Sequence, residues 1–133
     1  MVSLTGRAFE SKSSQPAAAP PSPQLDAYKT EVAQQVVQHN PERVFSGQLP
    51  DMLPAIVVLN VTVDKDGRLT DVAVQRSRDP DASRVALDSM RRIGTLPKPV
   101  NLLANNSDSV TFSETFLFDS QYRFQLRSLA GVQ

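Results

Sequence analysis

The sequence predicts a small α+β domain: an antiparallel sheet of three to four strands with two helices on one face. The chain order is helix, strand, strand, helix, strand and a further C-terminal strand. Three observations predict this class. Two stretches after Pro54 alternate apolar and polar residues as strands do, a turn at Asp66-Gly67 separates them, and apolar residues recur at helical spacing on both sides of this hairpin. A sheet that is apolar on one face needs helices of this kind to cover it.

Length and composition favour one domain and argue against several classes of function. The 133 residues are enough to bury a core without covalent cross-links. The 14 Lys and Arg residues balance the 14 Asp and Glu residues, so no net charge attracts nucleic acid or an anionic membrane. The absence of Cys excludes a disulfide framework, a thiolate metal site and a catalytic thiol. No apolar run reaches the roughly 18 residues of a membrane helix, and the N-terminus shows no apolar signal core.

Residues 1–24 are expected to form a flexible linker or tail, and residues 25–133 the folded domain. The first segment contains four of the ten prolines, together with Ala, Ser and Gln. Such a composition buries too little apolar surface to offset the entropy lost on ordering, and its prolines favour polyproline II conformations. The segment is interpreted as a tether between the domain and an anchor, or alternatively as an expression remnant.

The first helix is predicted over residues 25–39. Apolar residues recur at intervals of three and four, and the Asn40-Pro41 step ends the helix, because a residue that precedes proline is pushed out of the helical region. His39 is the only histidine, so a structural position at the helix end is a better interpretation than a base or a metal ligand. Residues 41–52 are expected to form a loop that its apolar side chains hold to the core.

A β-hairpin is the most strongly patterned element. Its first strand covers residues 55–63, and the side chains of one face are Val57, Leu59, Val61 and Val63. Residues 64–67 turn the chain, since Gly67 can adopt the positive φ that hairpin turns need, and the second strand covers residues 68–76. Asp64 and Asp66 also suggest a calcium loop, but the later oxygen ligands and the terminal glutamate of an EF-hand are missing, which favours the turn.

The second helix is predicted to begin with Asp79 as its N-cap and Pro80 in the first helical position. Its apolar stripe faces the hairpin and is formed by Ala82, Val85, Ala86, Met90 and Ile93. Gly94 is expected to be the C-cap. Arg91 and Arg92 in the last turn are interpreted as solvated charges rather than as a phosphate site, because the anion-binding end of a helix is its N-terminus.

The remaining residues are predicted to complete the sheet. Residues 96–100 form a stiff, proline-containing return, and a third strand follows at residues 109–118 with its large apolar residues on one face. Glu114 interrupts that face. It either discourages pairing at a sheet edge or lies where the face extends beyond the helices. A fourth strand, paired with the third as a hairpin, is predicted for residues 122–129, with its arginines on a solvated face.

The sequence contains no catalytic constellation, and the domain is predicted not to be an enzyme. Ser/His/Asp spacing, a Gly-rich phosphate loop, a His/Cys metal pattern and paired carboxylates are all missing. The only weak candidates for catalysis are Asp64, Asp66 and His39, and no cofactor or metal is expected. A sheet with an unfinished edge can instead bind an extended peptide through main-chain hydrogen bonds.

Three runs within residues 25–129 carry a resemblance to a known family. They are VVLNVTVDKDGRLTDVAVQRS, VALDSMRR and LPKP, in that order. In order and spacing they resemble the C-terminal domain of the TonB energy transducers and the related TolA domain, which show a strand, an Asp-Gly turn, a second strand, a helix and a proline-containing return into the last strand. The resemblance implies that residues 1–24 are the end of a periplasmic tether.

The resemblance also implies a function. The domain would be a periplasmic protein-interaction module that engages a partner by strand addition and transmits force for outer-membrane transport. The partner would be a peptide of an outer-membrane receptor or a component of an envelope complex. Nucleic acid is not expected as a partner, and contact with the membrane is expected only through an N-terminal anchor. The implied contact residues are Phe116, Phe118, Tyr122, Arg123, Phe124, Gln125, Leu126 and Arg127.

The tail YRFQLRSLAG leaves a second function open. It adds a strand at the edge where TonB domains engage receptor peptides. In this alternative the chain is a structural interaction domain of a cell-envelope assembly, TolA-like or associated with secretion, whose edge is sealed by its own last strand.

Overall fold

The computed structural model describes residues 17–103 and 107–130. Its elements in chain order are α1 (Pro23–His39), a 3-10 turn (Pro41–Arg43), β1 (Ala55–Asp64), β2 (Leu69–Arg76), α2 (Pro80–Arg91), β3 (Ser109–Phe118), β4 (Phe124–Leu126) and α3 (Arg127–Ala130). Among these residues the four strands form one antiparallel sheet in the order β2-β1-β3-β4. The predicted α+β class and its antiparallel sheet are therefore confirmed.

The inner face of the sheet carries the core. Along β1 every second side chain is fully buried, because side chains two residues apart point to the same face of a strand. These side chains are Val57, Leu59, Val61 and Val63. The buried stripes of both long helices belong to the same apolar cluster, through Leu25, Tyr28, Val32, Ala33 and Val36 in α1 and Ala82, Ala86 and Met90 in α2.

α1 begins two residues earlier than predicted, at Pro23. The Ser22 hydroxyl accepts a hydrogen bond from the Leu25 N–H at 3.0 Å, which makes Ser22 the N-cap. Pro23 occupies the first helical turn, where its missing N–H costs nothing. At the other end His39 closes the helix as expected, with its Nδ1 2.8 Å from the Gln35 carbonyl oxygen.

One aspartate shapes the turn between β1 and β2. Asp64 Oδ1 accepts the backbone N–H groups of Asp66 and Arg68, each at 2.9 Å. These bonds, with that from Arg68 as the largest cause, hold the pKa of the Asp64 carboxyl below its ordinary value. Gly67 has a φ of 87°, the conformation that the turn requires. The Asp64 carboxylate therefore serves the turn, as the sequence favours.

α2 begins as predicted, with Asp79 as its N-cap and Pro80 in the first turn. Asp79 Oδ1 accepts the N–H groups of Asp81 and Ala82 at 3.0 and 3.1 Å. The hydroxyl of Tyr122 donates to Asp79 Oδ2 at 3.0 Å. The bond from the Ala82 N–H is the main cause that lowers the pKa of the Asp79 carboxyl. The start of α2 is thus joined to the distant hairpin between β3 and β4.

α2 ends at Arg91, and its C-cap is Arg92 rather than Gly94. The Arg92 N–H donates to the Asp88 carbonyl oxygen at 3.1 Å and so continues the helical bonding beyond Arg91. The predicted C-cap at Gly94 is therefore wrong, although Gly94 does have a positive φ of 81°. Arg92 also pairs with Glu42 at 2.7 Å, which ties this helix end to the 3-10 turn.

β3 has the predicted bounds, but the chain after it differs from the prediction. The strand expected over residues 122–129 is only Phe124–Leu126, and α3 follows at once. The reason is a long-range contact, because the Ser128 hydroxyl donates to Glu114 Oε1 at 2.6 Å and the Ser128 N–H to Glu114 Oε2 at 3.4 Å. The Glu114 carboxylate thus binds the first turn of α3. In a longer β4, Ser128 would instead need a main-chain partner on the neighbouring strand.

Candidate functional site

The candidate functional site is the part of β3 that β4 leaves uncovered, residues 109–115, which we name the open edge. β4 pairs only with the last three residues of β3, Phe116 to Phe118. β1 covers the other side of β3 along its whole length. Within the described chain, no strand therefore lies beside residues 109–115 on the β4 side. Unpaired main-chain groups on such an edge are a template on which another extended chain can pair.

The alternation of main-chain groups decides which residues face the open edge. In the hairpin after β3, the Asp119 N–H donates to the Arg123 carbonyl oxygen at 2.8 Å, so Asp119 points toward β4. Successive residues of a strand direct their N–H and C=O groups to opposite sides. The odd-numbered residues of β3 therefore direct theirs away from β1, and Thr111 and Ser113 present their main-chain groups at the open edge.

A segment of the chain itself already lies against the open edge. The Ala19 N–H donates to the Thr111 carbonyl oxygen at 2.7 Å, and Ala19 is partly buried against the apolar core. Residues 17–22 belong to neither a helix nor a strand and include Pro20 and Pro21. Proline has no N–H with which to extend such pairing, so within residues 17–22 the contact is one main-chain bond long.

Glu114 lies near the end of the open edge that is next to β4. Its side chain lies on the inner face opposite Leu59, and the residue is 2% exposed. The carboxylate accepts the N–H of Thr115, one of the groups that point away from β1, at 3.0 Å. Burial raises the pKa of the Glu114 carboxyl above its ordinary value, and hydrogen bonds from Ser128 and Thr115 oppose this shift. Because Glu114 is buried, the interpretation that places it beyond the helix cover is wrong.

Glu114 should make the stability of the domain fall as pH rises. A carboxyl whose pKa is higher in the folded chain than in the unfolded chain opposes folding when it ionises, from about pH 4 upward until the folded carboxyl has also ionised. Glu114→Gln is expected to remove this downward slope of the free energy of unfolding, measured by urea denaturation between about pH 4 and pH 8. Glu31→Gln, on the exposed side of α1, should keep the slope of the parent protein. A Glu114→Gln profile parallel to that of the parent would contradict this expectation.

Four of the eight residues predicted to contact a partner are core residues. Phe116, Phe118 and Phe124 are 0% exposed and Leu126 is 1% exposed. The ring centroids of Phe116 and Phe124 lie 4.8 Å apart in an edge-to-face arrangement. These side chains join β3 to β4 from the inner face. A partner strand beside either strand would therefore meet their main chain and not their side chains.

The other four predicted residues lie at the surface but do not form one patch. They are Tyr122, Arg123, Gln125 and Arg127. The first three bind groups of the same chain: the Asp79 carboxylate, the Asp119 carboxylate and the Gly47 carbonyl oxygen. The fourth lines a polar cleft beside Glu114. All eight residues lie in or next to the hairpin of β3 and β4, divided between its buried and exposed sides.

The outer edge of β4 is covered by the chain itself. Val44 forms a parallel bridge with Phe124, and the Phe45 N–H donates to the Phe124 carbonyl oxygen at 3.2 Å. Beside this contact a cleft of about 590 Å³ lies between the end of α1, β4 and α3. A strand could pair with β4 from outside only if residues 44–47 moved away. At the open edge of β3, the bond from Ala19 would have to break. Because Thr111 is only 3% exposed and residues of α1 and α3 line the cleft beside Glu114 and Thr115, side chains around the edge would have to move as well.

Sequence reasoning missed Thr111 and Ser113 as edge residues. The alternation of Ser and Thr with Val and Phe in residues 109–113 indicates which side chains face outward. It does not distinguish the two edges of the strand. The open edge depends on the strand order, which the pairing of β1 with β3 sets, and no local signal predicts it.

Comparison with known proteins adds no relative. The chain matches no protein-family model, no curated protein and no solved structure. Within residues 17–103 and 107–130, no helix combines the length and the apolar character needed to cross a membrane. The same residues contain no group of three or more His, Cys, Asp or Glu side chains that could hold a metal ion. A function can therefore be proposed from two features, the open edge and the motifs of residues 25–129.

Proposed function

We propose that this domain is a protein-interaction module that binds an extended segment of a partner protein by adding it as a strand to the open edge of β3. One observation carries the proposal: the hydrogen bond of 2.7 Å from the Ala19 N–H to the Thr111 carbonyl oxygen. An added strand would form bonds of the same kind. Here the bond is made by a segment that is not a strand of the sheet, which supports the capacity of this edge to hold an extended chain.

The open edge offers more bonds than the Ala19 segment uses. The Thr111 N–H and both main-chain groups of Ser113 point away from β1, and no described residue is bonded to them. Each main-chain hydrogen bond contributes roughly 0.5–1.5 kcal/mol net. A partner strand that replaces the bond from Ala19 and also fills these positions would therefore make more main-chain bonds to the edge than the segment it displaces.

The resemblance of residues 25–129 to the TonB and TolA C-terminal domains supports a more specific form of this proposal. In it the partner is a peptide of an outer-membrane receptor or a component of an envelope complex, and the domain acts in the periplasm at the end of a tether that precedes α1. A strand held along β3 by several hydrogen bonds resists a pull along its axis, because the bonds must break together. This property suits a domain that transmits force. The proposal includes no catalytic role.

A second candidate function is favoured by the cover on β4. Residues 44–47 already pair with the outer edge of β4 through Val44 and Phe45. This arrangement is what a structural interaction domain of an envelope assembly would need if its sheet edge were sealed by its own chain. The two candidates differ in one measurable respect, which is whether an extended peptide binds to β3.

Ser113→Pro should weaken peptide binding at the open edge without breaking the sheet. The Ser113 N–H points away from β1, and edge positions of this kind tolerate proline. The isotope-labelled full chain is titrated with a peptide of about eight alternating Thr and Val residues, and amide shifts are expected to concentrate in residues 109–127. Ser113→Pro is expected to weaken binding about tenfold or more, since one or two hydrogen bonds are lost.

Ala19→Pro is the complementary variant. It removes the donor of the resident bond, leaves the Thr111 carbonyl oxygen available and should strengthen peptide binding. Shifts confined to the turn at residues 64–67 would reject the proposal. Absence of binding to both the parent protein and Ala19→Pro would favour the candidate with a sealed edge.

A further inference from the structure

Strand β2 forms the other edge of the sheet, opposite the side of β4. It pairs with β1 on one side, and among the described residues no strand lies on its other side. All of its residues are exposed or half-buried, and Val74 is 39% exposed. Arg68, just before the strand, forms a bridge with Thr95, and beyond it the outer side of β2 carries main-chain groups that no described strand covers.

The outward main-chain groups of β2 belong to Val72 and Val74. The Asp64 N–H donates at 2.9 Å to the carbonyl oxygen of Arg68, the residue just before β2, so the even-numbered residues of β1 direct their groups toward β2. Asn60 lies opposite Ala73 in this register, and Ala73 therefore directs its groups toward β1. Val72 and Val74, on either side of Ala73, therefore direct their N–H and C=O groups away from the sheet. The edge thus offers two N–H donors and two carbonyl acceptors.

Three arginines that form no ion pair with a described residue flank this edge. Arg76 ends β2, Arg78 follows in the connection to α2, and Arg91 lies beside the start of β2. All three are exposed, and none forms an ion pair with a described residue. The described arginines that do form ion pairs are Arg43, Arg84, Arg92 and Arg123. Unpaired positive charge at both ends of the edge favours a ligand with acidic side chains.

A cleft lies at each end of the edge. One, of about 240 Å³, is lined by residues 69–72, which include the acidic Asp71, and by Arg91. The other, of about 450 Å³, is lined by both other arginines, by Ile56, which is 45% exposed, and by Asp79, whose carboxylate is bonded to the first turn of α2 and to the Tyr122 hydroxyl. The two ends of the strand are roughly 23 Å apart at about 3.3 Å per residue. In strand addition, clefts of this kind receive alternate side chains of the bound segment and give specificity.

We infer that β2 is a second strand-addition edge, whose ligand is an extended segment of a partner protein with acidic side chains near both of its ends. Main-chain bonds to Val72 and Val74 hold the segment. Its acidic side chains contact Arg91 at one end and Arg76 and Arg78 at the other. The site lies on the opposite edge from the one in the proposed function and does not depend on it. A domain with both edges can join two extended segments through one sheet.

The test uses the isotope-labelled full chain and two synthetic peptides of about nine alternating Thr and Val residues, one with Glu at both ends and one with Lys at both ends. The Glu peptide is expected to bind about tenfold more tightly than the Lys peptide or better, and to shift the amides of residues 69–78. Val74→Pro removes an N–H that β1 does not use and should abolish these shifts. Ser113→Pro changes only β3 and should leave them intact.

Arg76→Glu tests the charge preference without altering the main chain. It is expected to weaken binding of the Glu peptide and to strengthen binding of the Lys peptide, so that the difference between the two affinities shrinks or reverses. Equal binding of the two peptides to the parent protein would overturn the inference. Shifts from the Glu peptide at residues 109–115 in place of 69–78 would overturn it as well. Neither result bears on the proposal for β3, which Ser113→Pro tests by itself.

Discussion

Gly67→Ala is expected to lower the free energy of unfolding by about 3 kcal/mol. Gly67 has a φ of 87°, in the left-handed region, where an L side chain costs about 1–2 kcal/mol. An added Cβ would also overlap the carbonyl oxygen of Leu96, a main-chain atom that cannot rotate aside. The Gly67 carbonyl accepts the Leu96 N–H at 2.8 Å, so the hairpin turn and the return after α2 would have to separate. Urea denaturation measures the change through the midpoint at an unchanged m-value.

Gly94→Ala is the matched control. Gly94 also has a positive φ, 81°, but no atom lies within 4 Å of the position that a Cβ would take. This variant should lose only the conformational part of the effect, about 1 kcal/mol. Equal losses in the two variants would show that the close approach of Leu96 to the turn does not constrain the domain.

Phe116→Ala is expected to lower the free energy of unfolding by about 3–5 kcal/mol, enough to unfold many domains of this size. Phe116 is fully buried, and its ring centroid lies 4.8 Å from that of Phe124 and 6.4 Å from that of Phe118. Removal of the ring leaves a cavity between β3 and β4 that the neighbouring rings can fill only by giving up contacts of their own. The loss should be seen without any ligand, in thermal and urea denaturation of the chain alone.

This experiment separates a core role of Phe116 from the contact role that the family resemblance implies. A side chain that serves only a partner costs little stability when it is removed. Met52→Ala, at a residue that is 85% exposed, is the control and should change the free energy of unfolding by less than about 0.5 kcal/mol. A Phe116→Ala variant that keeps the stability of the parent and loses only peptide binding would place Phe116 on the binding surface.

Local signals are sufficient to predict the hairpin and the start of α2. The side chain of Asp64 binds main-chain groups two and four residues ahead, and that of Asp79 binds groups two and three residues ahead. Such bonds depend only on residues that lie within four positions of each other in the sequence. For this reason the predicted strands at residues 55–63 and 68–76 differ from β1 and β2 by one residue each.

Long-range contacts account for what the sequence does not predict. The early end of β4 depends on the bond between Glu114 and Ser128, and the cover on β4 depends on Phe45 bound to Phe124. Neither pair is close in the sequence, and no composition signal links its members. The open edge has the same origin. Periodicity identifies which face of a strand is apolar, but the neighbour on each side is decided only when the whole sheet is assembled.

The central position of β1 also determines how the sheet can assemble during folding. β1 meets β2 through a tight turn, whereas it meets β3 only after the whole of α2 and the return have been made. Closing the longer loop costs more chain entropy, so the hairpin is expected to form early and β3 to dock late. Until β3 docks, the most apolar strand of the domain lacks one neighbour. A newly made chain is therefore most exposed to aggregation in the interval between these two pairings.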